Sequence, residues 1–158
     1  MSAYPAKFLD PTLTSTLDTI LQQGTPHERY LVLRAFFAFL ENDAGKEPQL
    51  SSTDMLSNLT GKAYSDAGLA SGLIQRFAEP VLHGVLEVES PPIQRMASDI
   101  LRIAVLQGLS HPMQVVPTLV ALETSQDSVL RSRAAHLHRH LYSKPVSYTH
   151  LRAHETVL

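Results

Sequence analysis

The chain has 158 residues, of which 44% are hydrophobic and 18% are charged, with a formal net charge of −2. This composition is typical of a globular domain with a core and argues against a disordered chain. The absence of cysteine excludes disulfides, thiolate metal sites and a thiol nucleophile. No apolar run reaches the roughly 18 residues of a membrane span, and no signal peptide pattern opens the chain. A cytosolic or nuclear protein is therefore the default expectation.

The first elements along the chain are two helices with clear start signals. Asp10 precedes a proline and predicts the cap of a helix that ends at Gly24. Thr25 and Glu28 form a capping-box pattern at the start of the next helix. Residues 1–42 are therefore predicted to form one helix pair.

The rest of the chain is predicted to divide into a linker, a helical block and a tail. Residues 43–68 form a loop with a possible short helix near 53–59. Residues 69–144 contain two further HEAT-like helix pairs, and Pro80 is expected to kink or split the first of their helices. The four helices are predicted at about residues 69–88, from the turn at 89–92 to 107, 110–123, and from the turn at 124–127 to 144.

Apolar positions repeat along the chain. Two sets of four apolar positions have the same spacing at an offset of 37 residues. Three positions of an earlier set lie 64 residues before their counterparts in the first of these two sets. The spacing i, i+4, i+7, i+11 marks one helix face. These positions are Ile93, Ala97, Ile100 and Ala104; Leu130, Ala134, Leu137 and Leu141; and Leu33, Phe36 and Leu40. The period predicts an all-α, HEAT/armadillo-type α-solenoid fragment of stacked antiparallel helix pairs. An ordinary helical bundle is the alternative.

One stretch of the block carries a family resemblance. Residues 107–124 read QGLSHPMQVVPTLVALET. They are similar to the Gln-Gly-Leu-x-His-Pro-x-Gln-Cys-x-Pro stretch in the C-terminal HEAT region of the cohesin-loading adherins, the Nipped-B and sister chromatid cohesion protein 2 family. Val115 stands where cysteine is common. Gln94-Arg95 and residues 30–36 resemble the fungal branch. Family members are several times longer, so a piece of a larger protein is expected.

The resemblance implies a function as well as a fold. It implies a non-catalytic HEAT-repeat scaffold segment of a nuclear factor that loads cohesin onto chromatin and supports sister chromatid cohesion. The implied partners are cohesin complex subunits and chromatin or DNA, with a loader partner subunit bound through a missing N-terminal part. No cofactor, membrane contact or small-molecule substrate is expected. The alternative is a generic HEAT or armadillo protein-protein adaptor in transport or signalling.

Charge is distributed unevenly along the chain. Residues 1–89 carry six Lys or Arg and eleven Asp or Glu, a balance of −5, whereas residues 90–144 carry six and three, a balance of +3. The arginines of the basic part are Arg95, Arg102, Arg131, Arg133 and Arg139. They are candidates for contact with DNA phosphates or an acidic partner. The alternative is a set of solvated arginines whose stems pack on the surface.

Candidate residues for metal binding or catalysis are supported more weakly by the sequence. His136 and His140 lie one helical turn apart, but a zinc site needs a third ligand, so solvated helix-surface histidines are the preferred interpretation. The sequence Ser110-His111-Pro112 is interpreted as a helix entry with Ser110 or His111 near the cap. No catalytic, cofactor-binding or metal-binding residue is predicted, and the chain is not expected to be an enzyme.

The last segment, residues 145–158, reads differently from the helices before it. Ten of its residues, from Val146 to Glu155, are identical to the translation of a transposase sequencing adapter. The segment is therefore interpreted as a non-native tail, and the natural C-terminus is expected to be missing.

Overall fold

Helices form almost all of the chain that the structure describes. The computed structural model describes Lys7, residues 10–44 and residues 62–143, with side chains for residues 10–42 and 68–143 within those ranges. Its helices are α1 (Pro11–Gln23), α2 (Pro26–Ala44), α3 (Lys62–Val85), α4 (Pro91–Leu106), α5 (Pro112–Glu123) and α6 (Ser128–Tyr142). The all-α prediction is confirmed. The possible short helix near 53–59 and the tail at 145–158 lie outside the described residues.

The predicted helix starts are present at both N-terminal helices. Asp10 Oδ1 accepts a hydrogen bond from the Thr12 backbone N at 2.9 Å. Glu28 Oε2 accepts from the Thr25 backbone N at 2.8 Å, and Thr25 Oγ1 accepts from the Glu28 backbone N at 3.3 Å. Hydrogen bonds from the Thr25 backbone, and then from its side chain, lower the pKa of Glu28 below 4.5. The capping box is thus confirmed.

Gly108 lies just after the end of α4, in agreement with the predicted end of this helix at about residue 107. Its φ is 69°, in the left-handed region that glycine adopts without steric cost. The Leu109 N donates to Ala104 O at 2.8 Å and the Gly108 N donates to Val105 O at 3.2 Å. This pair of bonds is a Schellman motif, which satisfies carbonyls that the helix end would otherwise leave unpaired.

Helix α3 is longer than the sequence indicated. It begins at Lys62, whereas the start was predicted near residue 69. Gly68 was interpreted as part of the linker, but it lies within the helix, where a glycine costs about 1 kcal/mol relative to alanine. Burial of Leu69, the next residue, and of Leu73, one turn further along the helix, offsets that cost.

Helix α3 also continues past its internal proline. Pro80 was expected to kink or split the helix, but α3 is one element to Val85. The lost backbone hydrogen bond is tolerated because Phe77 and Val81, on either side of the proline, are both buried. Leu86, which is within the helix predicted at residues 69–88, lies just beyond the observed end of α3 and is 46% exposed.

The chain divides into two compact units at the boundary between His111 and Pro112. In the N-terminal unit, α4 packs against both α2 and α3, and α1 contacts the same two helices. Arg29 of α2 donates to both carboxylate oxygens of Glu87, after α3, at 3.0 and 2.5 Å. In the C-terminal unit, α5 packs against α6.

Helices α3 and α4 approach each other closely at one point. Gly84 is buried, and a Cβ built there would lie 3.2 Å from the Cβ of Ala97 and 3.3 Å from Cγ2 of Ile93. Ala97 is completely buried. The small side chain of Ala97 therefore permits the two helices to pack closely opposite Gly84.

The repeated apolar positions form the core. Ten of the eleven are buried, and Leu141 is partly exposed. In the described residues the helices therefore pack through the stripes that the sequence repeat marks. Within the same residues, no helix combines the length and hydropathy needed to cross a lipid bilayer.

Candidate interaction surfaces

The α4 arginines lie on a face of mixed charge. Arg95 is exposed and Arg102 is half-buried, seven positions apart on one helix face. Asp99 lies between them, four residues after the first and three before the second. Side chains at these spacings are neighbours on a helix surface. The face is therefore less basic than the two arginines alone indicate.

Helix α6 is oriented by its cap. Asp127 Oδ1 accepts hydrogen bonds from the backbone N of Val129 at 2.8 Å and of Leu130 at 3.4 Å. This start places Leu130, Ala134 and Leu137 in the core against α5. The other side chains of α6 then lie on its flanks and outer surface.

One flank of α6 carries an open depression with a volume of about 510 Å³. Its lining residues supply two guanidinium groups, an imidazole, two hydroxyls and one apolar side chain. Among the described residues that line it, none carries a carboxylate. This surface, called the α6 depression below, is formed by Ser128, Val129, Ser132, Arg133, His136 and Arg139.

The five predicted arginines are therefore separated by the structure. Only Arg133 and Arg139 line the α6 depression. Arg131 lies two positions before Arg133, about 200° around the helix. Its Nη1 donates a hydrogen bond to Ser125 O at 2.8 Å, so this side chain links α6 to the loop that precedes it. Arg95 and Arg102 belong to the other compact unit.

The three histidines of α6 have three different environments. His136 is exposed, as predicted, and lines the α6 depression. His138 Nδ1 lies 2.7 Å from Glu123 Oε1, which joins α6 to α5, and its ring lies 5.0 Å from that of Tyr142. His140 is half-buried, with Nε2 enclosed and without a hydrogen bond, so the prediction of a solvated side chain is wrong there. In the described ranges, no group of three or more possible metal ligands exists.

The start of α5 agrees only in part with the prediction from the sequence. Pro112 is the first residue of α5. Ser110 Oγ is buried and has no hydrogen-bond partner. This hydroxyl therefore does not cap the helix, although the sequence made Ser110 one of the two candidates.

A second concave surface, which the sequence did not indicate, lies between α1 and α3. It has a volume of about 350 Å³, and Pro11, Leu69 and Leu73 are among the residues that line it. Its charged member, Arg76, donates to Asp18 Oδ2 at 2.6 Å. A mostly apolar groove whose arginine is already paired has few polar groups available for chemistry.

Comparison with known proteins shows the family to which the chain belongs. A sequence model described as "Sister chromatid cohesion C-terminus" matches residues 70–157, more than half of the chain. The chain belongs to the Nipped-B C-terminal family. The match includes residues 107–124, where the resemblance was expected. It also extends across residues 145–157, so it does not support the interpretation of that segment as an adapter.

The relatives of this Nipped-B family chain are much longer proteins. It is 26% identical over 87 residues to "Nipped-B-like protein A" of Danio rerio, covering 55% of the chain and 4% of that protein. The worm "Nipped-B-like protein scc-2" of Caenorhabditis elegans is 28% identical over 140 residues, covering 84% and 6%. "Sister chromatid cohesion protein mis4" of Schizosaccharomyces pombe is 25% identical over 154 residues, covering 87% and 10%. No solved structure matches the chain.

The family assignment tests two predictions, that the chain is not an enzyme and that its family acts in sister chromatid cohesion. The Nipped-B family is non-catalytic, which confirms the prediction that the chain is not an enzyme. Sister chromatid cohesion is confirmed as the process with which the family is associated. The surfaces above are therefore considered as binding surfaces.

Proposed function

We propose that this chain is a non-catalytic scaffold segment of a nuclear cohesin-loading factor, which acts in loading cohesin onto chromatin. The observation that carries the proposal is the family match over residues 70–157. The paired helices agree with it, because a scaffold needs rigid elements that present side chains to partners. Catalysis would require a pocket with converging polar groups.

The proposed architecture is a HEAT-type solenoid in which the helix pairs are stacked repeats. It is supported by burial of the repeated positions, including Ile93, Ala97 and Ile100 in one stripe and Leu130, Ala134 and Leu137 in the other. Each repeat of a solenoid contacts mainly its neighbours, so outward-facing residues remain available for binding. A segment of this kind contributes binding surface without chemistry.

The proposed partners are cohesin complex subunits and chromatin or DNA. A loader partner subunit would bind the longer protein through a part that precedes this segment. We propose the exposed or half-exposed arginines as contacts, in two separate sets: Arg95 and Arg102 on α4, and Arg131, Arg133 and Arg139 on α6. Guanidinium groups suit this role because they bind phosphates and carboxylates in a bidentate manner.

A charge-reversal experiment in the full-length parent protein tests the binding role. The quadruple variant Arg95→Glu, Arg102→Glu, Arg133→Glu and Arg139→Glu is compared with Arg34→Glu, an exposed arginine of α2 outside both sets. We expect the quadruple variant to weaken binding of purified cohesin or of a DNA duplex by about tenfold or more and to flatten its salt dependence. The Arg34 variant should bind like the wild type. Unchanged affinity and unchanged salt dependence in the quadruple variant would remove these arginines from the binding surface.

Two finer assignments are also proposed. We propose a fungal source, which is supported by the resemblance of residues 30–36 and by the match to the S. pombe protein over 87% of the chain. We propose that residues 145–158 derive from a sequencing adapter, which is supported by ten consecutive identical residues from Val146 to Glu155. The genomic locus tests both. Exons that encode the tail would contradict the adapter origin, and a locus outside the fungi would contradict the source.

A further inference from the structure

We propose that the outer face of α4 binds an acidic helix of a partner protein, which presents two carboxylates seven residues apart on one of its faces. The face of α4 is called the α4 stripe below and is formed by Arg95, Arg102 and Leu106, at positions i, i+7 and i+11 of the helix. This inference rests on the proposed scaffold function and specifies the partner of one of its two sets of arginines.

The two arginines of the α4 stripe are accessible to a ligand. Arg95 is exposed, and Arg102 is half-buried with guanidinium nitrogens that are not enclosed. Within the described part of the chain, neither side chain forms a hydrogen bond or an ion pair. A guanidinium binds a carboxylate through two parallel hydrogen bonds. The α4 stripe therefore presents two cations that an anionic partner can pair without breaking an existing bond.

The core of the N-terminal unit fixes the spacing of these cations. Nine of the 16 residues of α4 are buried, and the helix packs against both α2 and α3. Because the backbone of α4 is held on this side, the stripe is presented on a rigid element. Arg95 and Arg102 are seven residues apart, which is about 10.5 Å along a helix with a rise of 1.5 Å per residue.

A helix matches this spacing better than an extended chain does. On a second α-helix, two residues seven apart are also separated by about 10.5 Å and lie on nearly the same face, whichever way the chain runs. In an extended chain, about three residues span this distance at about 3.3 Å each. Side chains an odd number of positions apart in a strand point to opposite faces, so only one of the two carboxylates would face α4.

Leu106 adds an apolar side chain at one end of the stripe. It follows Arg102 by four residues and is 38% exposed. Exposed ion pairs alone contribute little to an affinity, whereas removal of apolar area from water adds to it. A matching helix therefore carries an apolar residue about one turn outside its carboxylates.

The α4 stripe is a poor match to duplex DNA. Strong duplex binding comes from about six to ten neutralised phosphates. Asp99 lies between the two arginines, so the charges along this face sum to 2 − 1 = +1. A row of phosphates would pass the carboxylate of Asp99 and be repelled by it. A protein helix avoids this repulsion, because it can carry a neutral side chain between its two carboxylates.

The proposal is tested on the 158-residue chain with a fluorescein-labelled helical peptide of alanine and glutamine. The peptide carries two glutamates seven residues apart and a leucine four residues outside each, so that both chain directions present the same pattern. Fluorescence anisotropy at low salt measures the affinity, because salt screens exposed charges. We expect saturable binding that the double variant Arg95→Glu, Arg102→Glu weakens by about tenfold, which corresponds to about 1.4 kcal/mol. Leu106→Ser should weaken it by about two- to fivefold.

Two controls separate a specific site from a general charge effect. In the first, a peptide with lysines in place of both glutamates should bind the double variant more tightly than the wild type, which also shows that the variant is folded. In the second, a peptide of the same charge with its glutamates five residues apart, about 140° around the helix, should bind the wild type at least about threefold more weakly. Equal affinity for the two spacings, failure of the charge exchange, or absence of saturable binding would overturn the proposal.

The matched control variant is Arg34→Glu, which makes the same charge change at an exposed position of α2 outside the stripe. It should change the affinity for the glutamate peptide by less than about twofold. A loss equal to that of Arg95→Glu alone would assign the binding to net charge and overturn the proposal.

A DNA duplex used as a competitor separates the two kinds of anionic partner. Displacement of the labelled peptide by DNA at a lower concentration than by unlabelled glutamate peptide would assign the α4 stripe to nucleic acid and overturn the proposal. Cohesin is absent from these measurements. Their failure would therefore leave the scaffold function standing, whereas failure of the cohesin-binding experiment above would not alter the peptide result.

Discussion

Because α3 and α4 approach each other closely, we expect replacement of two glycines of α3 by alanine to change the stability of the protein in opposite directions. Gly72 and Gly84 both lie in α3. Nothing lies within 4 Å of a Cβ built at Gly72, whereas a Cβ at Gly84 would meet Ala97 Cβ at 3.2 Å and Ile93 Cγ2 at 3.3 Å. Replacement by alanine should therefore stabilise the protein at the first position and destabilise it at the second.

The magnitudes follow from two opposing terms. A glycine-to-alanine change in a helix stabilises by about 0.5–1 kcal/mol when the methyl group meets no neighbour. Overpacking a filled core costs about 1–3 kcal/mol, and the Cβ of Ala97 cannot rotate away. We therefore expect Gly72→Ala to gain about 0.5–1 kcal/mol and Gly84→Ala to lose about 1 kcal/mol. In the Gly84→Ala background, Ala97→Gly should remove the clash.

Urea unfolding followed by far-ultraviolet circular dichroism measures these changes. With a denaturant slope of about 1–3 kcal/mol per molar urea, each variant should shift the midpoint by a few tenths of a molar to about 1 M, in opposite directions. Amide hydrogen exchange of α4 assigns the loss in Gly84→Ala to the N-terminal unit. If Gly84→Ala were as stabilising as Gly72→Ala, the helices would not approach closely at this point, and the packing described for α3 and α4 would be wrong.

Three further predictions concern single contacts. Glu87→Ala should cost about 1–3 kcal/mol in thermal or urea unfolding, because it leaves the half-buried guanidinium of Arg29 without its bidentate partner; a loss below about 0.5 kcal/mol would contradict this. The lowered pKa of Glu28 means that its contribution to stability is present above pH 4.5 and lost as the pH falls through the folded-state pKa. Glu28→Gln should therefore flatten acid unfolding curves in that range, and an unchanged curve would contradict the role of the capping box with Thr25. Leu137→Ala should cost about 2–5 kcal/mol, since Leu137 is 2% exposed in the C-terminal unit; hydrogen exchange of α6 should accelerate, and unchanged protection would contradict its burial.

Features that depend on neighbours in sequence could be predicted from the sequence. The Thr25–Glu28 capping box needs only two side chains three residues apart. The stop at Gly108 needs only one residue able to adopt positive φ. The buried stripes follow from the helical period, which places every third or fourth residue on one face. These signals were sufficient for the all-α fold and for the positions of its core.

Features that depend on distant neighbours could not be predicted in this way. Gly68 has the appearance of a linker residue until the burial of Leu69 and Leu73 against other helices is known. Arg131 is separated from Arg133 by a contact with the Ser125 carbonyl in a loop. The depression on α6 also contains hydroxyl and apolar side chains that carried no motif. The candidate site was therefore indicated by its arginines, but its composition required the structure.

The central claim is that this chain is a scaffold segment that a cohesin-loading factor uses. The most direct test replaces the matched segment of S. pombe mis4 with residues 70–143 of this chain and scores separation of a fluorescently marked chromosomal locus before anaphase. A control chimera carrying Ala97→Asp, which places a charge in the α3–α4 core, should be defective. We predict that the unaltered chimera keeps sister loci together and retains cohesin on chromatin. Sister separation equal to that of the Ala97→Asp chimera, at equal protein abundance, would contradict the claim.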